Sequence, residues 1–214
     1  MTRAFLGLSA ATVLVALLAC KSLKRISEST ADQNAVASAS PSAVTAALGS
    51  APVGVPRDDW VLYSPSDGKF RLKLPQQPKL ERHNTQTQAG PIELSLFTAT
   101  GGSGVAYQVG FSDFPDPRLG GQSPDQLLLD AQQGAVRNVG GRLLFQRRLE
   151  VLGHPAREYS LEVLKQGMTL RYSARIVLVA ARLYQLQVIG LADRVKDADR
   201  ARFFDSFELV GQDP

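Results

Sequence analysis

Residues 142–190 form an almost unbroken run of strand-forming side chains, interrupted only at Gly153-His154-Pro155, Lys165-Gln166-Gly167 and Ala180-Ala181. Connections this short leave only antiparallel neighbours, because a parallel return needs a crossover of roughly a dozen residues or more. Strands are therefore expected over 143–152, 156–164, 168–179 and 183–189, joined as a meander. Whatever else the chain folds into must cover this sheet.

The preceding residues supply more strands and one helix. Trp60-Val61-Leu62-Tyr63 reads as a short strand, followed by a turn at Ser64-Pro65-Ser66-Asp67-Gly68. Phe70, Leu72 and Leu74 alternate with Arg71 and Lys73, the period of two of a half-buried strand. A polar strand over 80–88 follows, and Ile92, Leu94 and Leu96, then Val105, Tyr107, Val109 and Phe111, alternate in the same way. Ser123, Pro124 and Gln126 read as a capping box with proline at the first helical position. Leu127, Leu128, Ala131, Ala135 and Val139 continue at helical spacing until Gly140-Gly141. A second helix is expected over 193–206, with Phe207-Glu208-Leu209 returning as a last strand. The order implies an α+β fold, an antiparallel β-sheet covered by two helices.

The N-terminus has a different character. After Met1-Thr2-Arg3 comes an apolar run over residues 4–19, laid out as a secretory signal peptide and shorter than the roughly 20 residues of a spanning helix. It closes on Leu17-Leu18-Ala19-Cys20, which resembles the bacterial lipobox and contains the only cysteine in the chain. The resemblance implies diacylglyceryl transfer to Cys20, cleavage before it and a permanent membrane tether, since two or more acyl chains anchor stably where one does not. Lys21 stands where an aspartate would retain an enteric-type lipoprotein at the inner membrane, so the resemblance leans toward the outer membrane, with the domain facing the periplasm or the outside. One cysteine also excludes an intramolecular disulfide, leaving the exported domain to its core alone.

Composition divides the chain into a signal peptide (1–19), an anchor and disordered Ser/Ala-rich linker (20–57) and a folded domain (58–211). Residues 21–56 include no aromatic side chain and cannot bury enough apolar surface to offset chain entropy. As a coil, this segment reaches about 30 to 35 Å. From residue 57 onward, 20 Lys and Arg face 18 Asp and Glu, a net of +2, which disfavours nucleic acid as a partner. Basic residues concentrate over 142–182, eight against three acidic, on alternate strand positions expected to be a solvated sheet face.

The sequence has no nucleophile elbow, P-loop, zinc-protease helix or dinucleotide fingerprint, and its two histidines, His83 and His154, fall in a polar arm and a turn. The expectation is no enzyme, no cofactor and no metal, although Asp113 and Asp116 share one loop. If a ligand site exists, the best candidates are Tyr172 and Tyr184 rimmed by Arg171, Arg175 and Arg182, aromatic and cationic positions on neighbouring strands.

Three segments carry a second resemblance: Tyr63-Ser64-Pro65 through Gly68-Lys69-Phe70-Arg71-Leu72-Lys73-Leu74-Pro75, then Arg182-Leu183-Tyr184-Gln185-Leu186-Gln187-Val188-Ile189-Gly190, and Phe203-Phe204-Asp205-Ser206-Phe207-Glu208-Leu209. Together they resemble bacterial proteins with the α/β/α sandwich of the photosystem II extrinsic subunit PsbP. The resemblance covers residues 59–210 and implies a non-enzymatic module that docks on a larger assembly or binds a small ligand. The expected partners are the membrane, through Cys20, and a protein or small ligand in the envelope, with the domain itself monomeric. A periplasmic carrier of an apolar ligand and an envelope hydrolase are the alternatives. None of the photosystem subunit's functional residues maps onto this chain.

Overall fold

The computed structural model describes residues 59–87, 90–114 and 123–211. The signal peptide, Cys20, the linker and Asp116 lie outside the described residues. No helix among the described residues is long and apolar enough to cross a membrane.

In chain order the elements are β1 (Val61–Tyr63), β2 (Phe70–Leu74), β3 (Lys79–Thr87), β4 (Gly90–Thr100), β5 (Ala106–Asp113), α1 (Pro124–Val139), β6 (Arg142–Val151), β7 (His154–Lys165), β8 (Met168–Val179), β9 (Arg182–Leu191), α2 (Asp197–Asp205) and β10 (Glu208–Leu209). Seven strands make one antiparallel sheet in the order β3-β4-β5-β9-β8-β7-β6. The late meander pairs with the early one through β5 and β9, and α1, which links β5 to the edge strand β6, passes over β8 and β7 on one face. A small second sheet, β1-β2-β10, brings the two ends of the domain together on β2.

Both faces of the large sheet are covered, and the parity of β8 shows how. Leu170, Tyr172, Ala174, Ile176 and Leu178 point to one face, where Leu128, Ala131, Ala135 and Val139 of α1 meet them together with Tyr159, Leu161 and Val163 of β7. Val177 and Val179 point to the other, packing with Tyr184, Leu186 and Val188 of β9 beneath Phe70, Leu72 and Leu74 of β2 and Phe203 and Phe204 of α2. Helix on one face, helix and small sheet on the other: the expected antiparallel sheet under two helices is the observed α+β sandwich. Two-sided burial also explains why β8 and β9 carry apolar side chains at both parities.

Local differences from the sequence expectations have local causes. Ser123 caps α1 by accepting from the Gln126 backbone N–H at 3.3 Å, but the Gln126 side chain donates forward to Asp130 at 2.8 Å, so only half of the capping box forms. The C-cap Gly140 is left-handed, with φ 67°. His154 and Pro155 belong to β7, because the turn is the pair Leu152-Gly153, with φ 53° and 77°. That is the positive-φ geometry which matches the twist of a two-residue hairpin, and Gln166-Gly167 repeats it at 52° and 75°. The second helix begins at Asp197 and not at 193, since Arg194 and Val195 both donate backbone N–H groups to Leu191 O in a preceding turn.

The basic stretch is not uniformly a solvated face. Arg157 and Arg175 are buried, 9% and 8% exposed, because covering layers extend over strand positions that would face water in an open sheet.

Candidate functional site

The five residues singled out from the sequence do not line one groove. Adjacent strand positions alternate faces, and Tyr172 stands on the α1 face while Tyr184 stands on the face under β2. The arginines sit opposite Gly190 (Arg171), Leu186 (Arg175) and Val179 (Arg182), spread along the β8–β9 pair.

Arg182 and Arg175 are spent on holding the fold. Arg182 grips Asp113 with Nε and Nη2, both at 2.6 Å, while its Nη1 donates to the carbonyls of Asp67 at 2.9 Å and Gly68 at 3.2 Å. Its guanidinium lies 4.4 Å from the centre of the Phe111 ring, and Tyr184 donates its hydroxyl to the same Gly68 carbonyl at 2.9 Å. The Asp113 hydrogen bonds push the Arg182 pKa up, and burial raises that of Tyr184. Asp113 is thus an ion-pair partner, and no group of three potential metal ligands exists among the described residues.

Arg175 joins the sheet to α2. Its Nε and Nη2 donate to Glu158 Oε2 at 3.0 and 2.8 Å, and its Nη1 donates to the Phe204 carbonyl and to Asp205 Oδ1, each at 3.0 Å. Arg147 adds a third donor to Glu158 Oε2 at 3.0 Å. Burial alone would raise the Glu158 pKa, but the hydrogen bonds from Arg175 and Arg147 overcome it and hold the carboxyl below its usual value. With every guanidinium nitrogen engaged, neither Arg175 nor Arg182 can take an anion without dismantling a structural joint. Arg171 differs: the residue is half-buried, and its buried Nε has no hydrogen-bond partner among the described residues. His83 is half-buried beside Glu81 at 3.5 Å, and His154 opens β7.

A different cluster lies on the α1 face, and the sequence reading missed it. On β5 the positions between the expected core residues are Gln108, Gly110 and Ser112; on β9 their partners are Gln187, Gln185 and Leu183. Gln108, Ser112, Gln185 and Gln187 are all at most 3% exposed. Gln108 donates to Thr98 Oγ1 at 3.0 Å and Gln187 donates to Gln185 Oε1 at 3.4 Å. Gln108 Oε1, Ser112 Oγ, Gln185 Nε2 and Gln187 Oε1 have no hydrogen-bond partner among the described residues. Buried polar atoms are almost always satisfied, so four open ones on two paired strands require a reason. Farther across the same face, Arg157 donates to Gln132 Oε1 at 3.0 Å, and burial raises the pKa values of Tyr159 and Tyr172. The readable signal was polar residues on two central strands: a strand with neighbours on both sides and cover above and below has no solvent face to give them.

No protein-family model matches the sequence, and no curated protein does. Among solved structures, the solution structure of cyanobacterial PsbP (CyanoP) from Synechocystis sp. PCC 6803 is similar over 76% of this chain and 98% of that one, at 14% identity and a TM-score of 0.51. The sandwich is PsbP-like. That likeness concerns the fold, and at such identity it carries no site residue across. LpqN of Mycobacterium tuberculosis, described as involved in cell envelope biogenesis, is 15% identical over 72% of this chain and 79% of that one, with a TM-score of 0.40. A Pseudomonas aeruginosa protein of unknown function is 11% identical over 66% and 90%, with a TM-score of 0.37.

Proposed function

We propose that this chain is a lipid-anchored protein of the bacterial envelope whose PsbP-like sandwich is a binding or assembly module without chemistry of its own. The anchor rests on the lipobox-like Leu17-Leu18-Ala19-Cys20, and Lys21 after it favours the outer membrane. The observation that carries the binding reading is how the domain's polar groups are divided. The buried pair Arg175 and Glu158 and the half-buried Arg182 are locked to partners within the fold, while neutral amide and hydroxyl atoms buried on β5 and β9 have no hydrogen-bond partner among the described residues. Locked ions stabilise a scaffold, whereas open neutral donors and acceptors recognise a partner and leave it unchanged. If the module carries a small molecule, the same cluster favours a polar cargo over an apolar one.

Metabolic labelling with a clickable fatty acid tests the anchor: the wild type takes the label and Cys20→Ser does not, and equal labelling of both refutes anchoring. Native mass spectrometry and in-cell cross-linking of the protein from its host test the module. A reproducible mass excess or a defined cross-linked partner is expected, and the absence of both refutes it.

A further inference from the structure

The division between locked ions and unpaired neutral atoms has one exception, Arg157. It is 9% exposed, yet no carboxylate among the described residues pairs with it. Its Nη1 donates to Gln132 Oε1 at 3.0 Å, its buried Nε has no hydrogen-bond partner among the described residues, and its Nη2 makes no bond to them either. A buried lysine can shed its proton, but a guanidinium keeps its charge. An ion taken out of water is costly unless it is paired, so this one lacks an anion. Burial and then the charge of Arg148 lower its pKa, as expected of a cation with no counter-ion.

The open nitrogens say which anion. Nε and Nη2 donate in parallel from one edge of the rigid guanidinium, and the two oxygens of a planar carboxylate match that edge. Arg71, Arg148, Arg175 and Arg182 all use it, on Glu208, Asp125, Glu158 and Asp113. In Arg157 the same edge is empty. Arg148 stands directly opposite on the edge strand β6, but its Nε and Nη2 both engage Asp125 of α1, so that carboxylate is spent. The excess is a single positive charge, which one monoanion balances. A tetrahedral dianion would leave negative charge facing Asp125, and a neutral amide would leave the cation uncompensated. A guanidinium only donates, so the match does not turn on how any amide is oriented. The way in lies at the rim between α1 and β6. The side chains of Arg148 and Asp125 there are 62% and 41% exposed, and an exposed pair of this kind contributes little, so it yields to an incoming group. Resting on the binding-module reading, we propose that the Nε and Nη2 edge of Arg157 binds a carboxylate, supplied by a small organic acid or by an acidic side chain of a protein partner.

The test uses the full chain and NMR of the arginine Nε–H groups, the Arg157 signal being the one that disappears in Arg157→Lys. The probes are propionate, propionamide, sulfate and N-acetylglutamate α-amide, the last presenting its carboxylate as a protein side chain does. Both carboxylates should shift the Arg157 signal saturably and bind at least about tenfold more tightly than propionamide or sulfate. Tighter binding of N-acetylglutamate α-amide than of propionate assigns the carboxylate to a protein partner, and equal binding assigns it to a free acid. Propionate should also raise the thermal midpoint of the wild type and leave that of Arg157→Met, which removes the charge outright, where it is. Should either variant lose its cooperative transition, the order of the four probes on the wild type decides alone. No shift with either carboxylate because the edge holds only water, an equal response to all four probes, or the same propionate-induced rise in folded Arg157→Met would each overturn the assignment. None of these results touches the module reading, which stands or falls on the mass excess and cross-linking from the host.

Discussion

Arg175 shows how much one side chain can be asked to hold. It is 8% exposed, binds Glu158 from β7 and meets the carbonyl end of α2, with its guanidinium 5.0 Å from the centre of the Phe204 ring. Replacing it by methionine leaves Glu158 buried with Arg147 alone. Breaking a buried pair on one side costs about 3 to 5 kcal/mol, so guanidinium denaturation of Arg175→Met should show a loss of that order. Arg175→Met combined with Glu158→Leu should recover much of it, since no uncompensated charge is left in the interior. Glu158 also sets a pH dependence. Its folded pKa lies below the ordinary 4.5, so its contribution is complete above that value and is lost as pH falls through the folded pKa. Stability measured on acidification should therefore decline below about pH 4.5, and Glu158→Gln should flatten the decline.

At the scale of elements, ends and turns carry separable energies. Ser123→Ala removes the α1 cap and should cost about 1 kcal/mol in thermal or chemical denaturation. Leu152 holds φ 53° in an exposed hairpin turn, a conformation asparagine tolerates better, so Leu152→Asn should stabilise by about 1 kcal/mol. The sequence was legible where a single period governs a segment. β2 matches its alternation residue for residue, α1 its spacing and the Ser123 half of its capping box, and the meander two of its three short turns, the first lying at Leu152-Gly153 instead. It was misleading where a residue's fate depends on what lies over the strand. Alternation in β8 separates Arg175 from Tyr172 but does not reveal that α2 will descend on the arginine's face. Gln108, Gln185 and Gln187 look like solvent-facing positions until the sheet order places β5 and β9 side by side at its centre. The lower boundary of α2 was misjudged for a simpler reason: the tight turn at Leu191 to Val195 depends on backbone hydrogen bonds and has no composition of its own.

Across the whole domain the aromatic side chains form a continuous layer between the large sheet and the covering β2 and α2. Phe70 contacts Phe97, Phe111, Tyr184 and Phe207, and Tyr107 contacts Trp60 and Phe203. Together with the Tyr159–Tyr172 pair on the opposite face, this places all five tyrosines where burial raises the phenol pKa, Tyr107 up to about 12. A raised folded pKa contributes stability fully below the unfolded value of 10 and loses it as pH climbs toward the folded value. Alkaline titration should show phenolate absorbance lagging that of free tyrosine, then appearing together with cooperative unfolding; phenolate at the free-tyrosine midpoint in folded protein would contradict the burial. The joint at Arg182 has a further, mechanical meaning. The described chain begins at Asp59, and β1 is held to β2 by only three residue pairs, so a pull from the N-terminal side would unzip β1 first. The force would then reach the turn at Asp67 and Gly68, whose carbonyls are pinned by Arg182 and Tyr184 and, through Asp113, to the end of β5. Load is thus passed from a three-residue ribbon into the centre of a seven-stranded sheet, and Arg182 is the bolt at which peeling stops.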